Sequence, residues 1–398
     1  MKLVRLLRLV LVLLLTAPAA WAAVSVHWVS TWAASPDSAG PALPAQTIRQ
    51  VVRTSVGGTQ VRVRLSNLFG TAPLTIQNVH VAVRDGGAAI RPGSGHALTF
   101  NGASSVTIPK GASVLSDAAG MDVAPLQELA VSMVLPAGAG VSTIHGAGMQ
   151  TAYLAPGTDS SAVVFPAGST DDSRYFLTEV DVAAAPGTQA LVVVGDSIAD
   201  GIGSTQDRNA RWPDVLAQLQ PGLAVVNAGI AGNRILRDGA RPFVGPGTLA
   251  RFGRDALDKP GVRWIVLAQG INDIVASDML KDPAQQASGE QIIEGMRTLI
   301  RRAHERGVKV WGATLLPFGG VKAPFVHSAA GEAKRQAVNA WIRASGEFDA
   351  VLDVDRLMRD PARPDRLLVE FDSGDHLHPN DAGYRAMAEA ANVLWEKR

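Results

Sequence analysis

Near the end of the chain stands Asp375-His376-Leu377-His378-Pro379-Asn380, on a turn ahead of a helix-like run. Asp375 and His378 are three residues apart. At that spacing the carboxylate can fold back on the imidazole, fix its tautomer and leave the other ring nitrogen to take a proton. A partner for that nitrogen occurs in Gly195-Asp196-Ser197-Ile198, into which the short apolar run Leu191-Val192-Val193-Val194 leads. A serine on a tight turn at a strand exit is presented to substrate, and His378 could serve it as general base. The same turn also suits plain helix capping by Ser197 or Asp196. A metal reading competes at the other end: His376 and His378 alternate, with Asp375 and Asp381 nearby, but a third strong ligand is not evident. Two further loops carry donors. Gly229-Ile230-Ala231-Gly232-Asn233 would let a backbone N–H approach a ligand without a Cβ in the way. Gly270-Ile271-Asn272-Asp273 holds a side-chain amide able to donate to a developing oxyanion, or to cap a helix.

These loops need elements that bring them together. Apolar runs at 191–194, 223–226, 262–268, 308–313 and 351–354 read as buried strands. Helical patterns separate several of them: Ile292, Ile293, Met296, Leu299, Ile300 and Ala303 recur at helical spacing, as do Val338, Trp341 and Ile342. A last helix carries Tyr384, Met387, Ala388, Ala391 and Leu394. Strands alternating with helices predict a parallel sheet covered on both faces, with its chemistry in the loops after the strands. The glycines at 195, 201 and 203 fit neither of the common nucleotide-binding patterns.

Before residue 185 the pattern is different. Val61, Val63 and Leu65 alternate with Arg62, Arg64 and Ser66, and Val79, Val81 and Val83 repeat the period of two. Gly57-Gly58 and Asp85-Gly86-Gly87 punctuate such runs as turns, and no long amphipathic helix is apparent. An antiparallel β-sandwich is predicted over 23–185, followed by an α/β domain over 186–398. Trp28 and Trp32 on its first strand are either sugar-stacking platforms or core aromatics.

Residues 1–22 have the layout of a secretory signal peptide: Lys2, Arg5 and Arg8, then an apolar run, then Ala20-Trp21-Ala22 before a cut near Ala23. The run is interrupted by Pro18 and is shorter than the roughly 20 residues that cross a bilayer. The mature protein is therefore expected to be secreted or periplasmic, with no stable membrane insertion. The chain has 398 residues and no cysteine, which excludes disulfides and thiolate metal sites and suits a bacterial exported protein. The formal charge of +1 belongs to the leader, so the rest lacks the electrostatic footprint of a nucleic-acid binder. At 47% hydrophobic and 18% charged, the chain is too apolar for a disordered one.

Taken in order, Gly195-Asp196-Ser197-Ile198, Gly229-x-x-Gly232-Asn233, Gly270-x-Asn272-Asp273 and Asp375-x-x-His378-Pro379 resemble the four blocks of the SGNH (GDSL) hydrolases. The resemblance covers about residues 189–398 and departs only at Ile198, where leucine is usual. It implies a flavodoxin-like three-layer domain with a parallel sheet, no cofactor and no metal. It also implies Ser197 as nucleophile, His378 as base and then acid, and Asp375 as its orienting partner. The oxyanion hole would be the N–H groups of Ser197 and Gly232 with the amide of Asn272. Thr31-Trp32-Ala33-Ala34-Ser35, Leu65-Ser66-Asn67 and Leu98-Thr99-Phe100 also look like the β-rich domain that precedes some secreted members.

A small-molecule or glycan ester is the expected substrate. Segments 237–243 and 317–320 are expected to rim the site; they are Gly/Pro-rich, with few aromatics and no lid-like apolar stretch, which favours a short acyl group such as acetyl. The alternatives are a longer-chain lipase or phospholipase of the same family, a metal-dependent hydrolase on Asp375, His376 and His378, and a secreted glycan-binding protein with an inert hydrolase-like half. The intact set Ser197, Asn272 and His378 argues against the last.

Overall fold

A computed structural model describes residues 26–239, 241, 243–280, 282–322 and 325–398. The expected signal peptide lies outside the described residues. The first half is built from antiparallel strands in two main sheets. One has Trp28–Ala33, Leu177–Ala183, Gly58–Ser66 and Ala119–Val123 in that order; the other is centred on Gln46–Arg53, Glu128–Leu135 and Leu74–Gly86. The period of two explains the packing. Val61, Val63 and Leu65 face inward against Ile76, Val79, Val81, Leu129 and Val131, forming one core between the sheets. Arg62 and Arg64 face outward and pair with their cross-strand neighbours Asp181 and Glu179, at 2.9 and 3.4 Å. A third, three-stranded sheet contains Ser142–His145. Trp32 is buried in the sandwich core, and the Arg62 guanidinium lies 4.1 Å over the Trp28 ring. Neither ring is an open platform.

The antiparallel strands of the first half end at Ala183 and a parallel sheet begins at Gln189. Its strands are β1 (Gln189–Gly195), β2 (Leu223–Gly229), β3 (Val262–Ala268), β4 (Lys309–Ala313) and β5 (Ala350–Leu352). Their spatial order is β2-β1-β3-β4-β5, all parallel. This is the flavodoxin-like order, which opens a crevice at the carboxyl ends of β1 and β3 where the winding reverses. Helices α1 (Ser197–Asp200), α2 (Trp212–Leu219), α3 (Thr248–Phe252), α4 (Ile271–Leu280), α5 (Gly289–His304), α6 (Ala329–Ala344), α7 (Val354–Met358) and α8 (Asp381–Glu396) complete the domain.

Successive residues of β1 serve opposite faces, which is why the run is continuously apolar. Val192 and Val194 pack with Ile274 of α4, with Ile292, Met296 and Leu299 of α5 and with Val338 of α6. Leu191 and Val193 pack with Trp212 and Leu216 of α2 and Tyr384, Met387 and Ala391 of α8. Ser288 and Gln291 form a reciprocal capping box at the start of α5. The predicted strand at 351–354 ends early, at Leu352. There Asp353 caps α7, and Val354 enters that helix.

The two halves are tied together. Ala190 and Ala224, near the starts of β1 and β2, belong to the sandwich core. Lys259 Nζ lies 2.6 Å from Glu179, Asn209 donates to Glu128 at 3.0 Å, and Thr151 donates to Asp207 at 2.6 Å. Among the described residues no helix is long and apolar enough to cross a membrane.

Candidate active site

Gly195 ends β1, and a Cβ there would lie 2.5 Å from the Ala199 Cβ and 2.8 Å from the Ala268 carbonyl. The bare backbone therefore lets the chain turn sharply into α1. Asp196 caps that helix, accepting from the Ile198 N–H at 3.1 Å, and burial pushes its carboxyl up to about 7. Ser197 is the first helical residue and is buried.

From the far end of the chain, Asp375 Oδ1 accepts the N–H groups of Leu377 and His378 at 2.9 and 2.8 Å. Its Oδ2 lies 2.5 Å from His378 Nδ1, and His378 Nε2 lies 2.8 Å from Ser197 Oγ. With Nδ1–H donating to the carboxylate, Nε2 is the acceptor for the serine hydroxyl. Partial burial works against the Asp375 charge, but the bonds to His378 and the backbone outweigh it and hold the carboxyl well below the usual range. Asn380 caps α8, and Asp381 accepts from the Thr205 N–H at 2.8 Å and its hydroxyl at 2.7 Å. His376 turns elsewhere, with Nδ1 2.5 Å from Asp372. Among the described residues no three metal-ligating side chains converge. The arrangement around His378 can pass the serine proton to the imidazole and stabilise the resulting cation.

Gly232 has φ +75°, and a Cβ would meet Val244 Cγ1 at 2.5 Å, so both conformation and space call for glycine. Asp273, raised to about 6 by burial, accepts the N–H groups of Ile235 and Leu236 at 2.8 and 3.1 Å and fixes the loop after Gly232. Asn272, on the first turn of α4, is buried, and its Nδ2 has no partner among the described residues. Gly232 and Asn272 line one cleft of about 520 Å³, mouth included, with Val244, Val275, Met279 and Phe325 on its walls. The Phe325 ring stands edge-on to His378 at 6.5 Å between centroids, joining the cleft to the hydrogen-bonded line.

Gly239 and Arg241 of the predicted rim reach this cleft. Segment 317–320 does not. Phe318 is wholly buried, with its ring 4.8 Å from His327, and Gly319 packs on Asp365. Asn233, which closes the block Gly229-x-x-Gly232-Asn233, and Arg251, which stands in no block, carry structural work that the sequence reading did not assign. Asn233 Oδ1 accepts from Thr248, Arg251 and Gln269, and its Nδ2 donates to the carbonyls of Val244 and Pro246. Arg251, wholly enclosed, donates to the carbonyls of Ala228 and Gly195 and pairs with Asp255.

Serine, histidine and aspartate thus stand hydrogen-bonded in series at the carboxyl edge of a flavodoxin-order parallel sheet. Residues 193–386 match the GDSL-like lipase/acylhydrolase family, and this part of the chain is a domain of that family. The protein is a carboxylic ester hydrolase. It is similar to the native aryl esterase of M. smegmatis at 16% identity, over 52% of this chain and 99% of that one, with a TM-score of 0.43. A GDSL-like lipase from Bacteroides thetaiotaomicron VPI-5482 is similar at 17% identity over 54% and 91% of the two chains, TM-score 0.41. An alpha/beta hydrolase enzyme from the metagenome of Lake Arreo, Spain, is similar at 21% identity over 53% and 95%, TM-score 0.39. No curated protein matches the chain in sequence.

Proposed function

We propose that the protein is a secreted or periplasmic serine esterase that works through an acyl-enzyme. Ser197 Oγ attacks the ester carbonyl while His378 Nε2 takes its proton, and Asp375 holds the imidazolium. The oxyanion is held by the N–H groups of Ser197 and Gly232 and by Asn272 Nδ2. His378 then gives its proton to the leaving alcohol, and a water activated by the same nitrogen releases the acid. The observation that carries this reading is the unbroken hydrogen-bonded line from Asp375 through His378 to Ser197. Export rests on the layout of residues 1–22.

We put the acyl group in the cleft beside Gly232 and Asn272, and the Gly/Pro-rich rim segment that carries Gly239 and Arg241 favours a short one such as acetyl, on a small-molecule or glycan ester. A second reading has one specific observation behind it: Val275, Met279 and Phe325 give the cleft apolar walls able to take a longer chain. Hydrolysis of p-nitrophenyl acetate, butyrate and octanoate by the protein lacking its leader, beside Ser197→Ala, separates these. Turnover abolished in Ser197→Ala supports the serine mechanism, and equal rates in the two proteins would overturn it. A kcat/KM that falls from acetate to octanoate favours the acetyl reading, and one that rises favours the longer chain.

A further inference from the structure

Among the buried ionisable groups that the hydrogen-bonded line and the cleft leave unused, one reaches the serine turn from the other half of the molecule. His145 ends the strand Ser142–His145 and is almost wholly enclosed. Its Nε2 lies 3.0 Å from Asp200 Oδ1, and its Nδ1 lies 2.9 Å from the Ser35 carbonyl and 3.7 Å from Asp37 Oδ2. Both ring nitrogens thus face groups that accept, and an imidazole that donates at both is the cation. Burial opposes that charge, but Asp200 and then Asp37 outweigh it and lift His145 to about 9.

Asp200 is the last residue of α1, three after Ser197, and its N–H bonds the Asp196 carbonyl at 2.8 Å. Its second oxygen accepts the N–H of Ala231 at 2.9 Å. Ala231 directly precedes Gly232. One carboxylate therefore spans the serine turn and the Gly232 loop, and its orientation is set by a residue of the antiparallel half. Asp37 is itself held, by Ser38 Oγ at 2.7 Å and the Gly146 N–H at 2.5 Å.

We propose that His145 is a positioning residue of the ester-hydrolase site: donating at both nitrogens, it fixes Asp200, and Asp200 fixes the Ile230–Ala231 peptide, one step before the peptide that carries the Gly232 N–H. The inference rests on the reading above that puts the Gly232 N–H in the oxyanion hole. A donor displaced by about 1 Å can cost on the order of a hundredfold in rate. Because the Gly232 N–H acts on the tetrahedral intermediate, its displacement lowers kcat and leaves KM nearly untouched. A residue that only held the two halves together would change the melting temperature and leave the kcat of the folded enzyme alone.

The test is kcat, KM and melting temperature of His145→Leu and His145→Gln with p-nitrophenyl acetate, with Ser197→Ala alongside. Inhibition by phenylboronic acid, whose serine adduct is tetrahedral, is measured on the same proteins. For His145→Leu the expected result is kcat down about 10- to 100-fold with KM within about twofold, and boronate inhibition weaker by a similar factor. His145→Gln, which keeps one donor for Asp200, should recover part of the loss. If His145→Leu does not fold, Asp37→Asn/His145→Gln takes its place, shedding one carboxylate while keeping that donor, and kcat reduced at unchanged KM is again expected. A kcat and boronate affinity within about twofold of the parent in the folded variant would overturn the inference, whatever the melting temperature. Persisting turnover in Ser197→Ala would instead overturn the reading of the site on which it rests.

Discussion

The carboxamide of Asn272 is buried with its Nδ2 unpartnered among the described residues, an arrangement that usually costs a folded protein stability. That idle donor is expected to be used only when negative charge develops beside it. Asn272→Ala should therefore lower kcat by about 10²–10³ while the melting temperature stays level or rises. Steady-state kinetics and calorimetry on one preparation check both halves of this statement. Asn233 is the opposite case, since its carboxamide accepts three bonds and donates two. Asn233→Ala should lower unfolding stability by roughly 2–3 kcal/mol, read from urea titration. Each asparagine follows a buried strand and stands near a glycine, so their surroundings look alike in sequence. What separates them is whether distant groups have already used the amide, and only the folded chain reveals that.

At the scale of elements, the parallel strands were readable because burial on both faces leaves them almost purely apolar. Helices α5, α6 and α8 were readable because a single face is buried. The short α3 offers no such period, yet it carries Arg251, which joins the ends of β1 and β2 through the carbonyls of Gly195 and Ala228. His145 was equally silent. Its bond to Asp200 spans 55 residues and that of Arg251 to Gly195 spans 56, distances over which no local spacing carries a signal. Arg251→Lys would keep the charge but not the planar fork that serves several acceptors. It should lower stability by roughly 3 kcal/mol in urea titration, because one ammonium cannot serve the buried carbonyls of Gly195 and Ala228 together with Asn233 and Asp255.

For the molecule as a whole, buried ionisable groups set a direction for stability against pH. Burial raises Asp196 to about 7 and Asp273 to about 6, and burial with Glu179 beside it raises Asp181 as well. A folded value above the unfolded one gives stability that is complete below the unfolded value and lost as pH rises through the folded one. For these carboxyls the window runs from near 4 to about 7. For His145, which faces Asp37 and Asp200, with Arg211 and Arg251 beyond Asp200, it runs from about 6.5 to about 9. Asp255, lowered to about 2 because Arg254 and Arg251 outweigh its burial, acts oppositely and loses its contribution only as pH falls toward that value. The melting temperature should therefore decline from about pH 5 to about pH 9, and in His145→Gln the decline above about pH 7 should be absent. Calorimetry at about pH 5, 7 and 9 measures both. The same buried cation bears on where this protein can be divided. A hydrolase half cut out at Gln189 would keep Ser197, His378, Asp375 and Asn272, yet it would leave Asp200 with a carboxylate turned toward a counter-charge that had gone with the other fragment. The place where the sequence changes from one grammar to the other is thus not a seam for grafting or exchange, because the two halves share a single electrostatic unit.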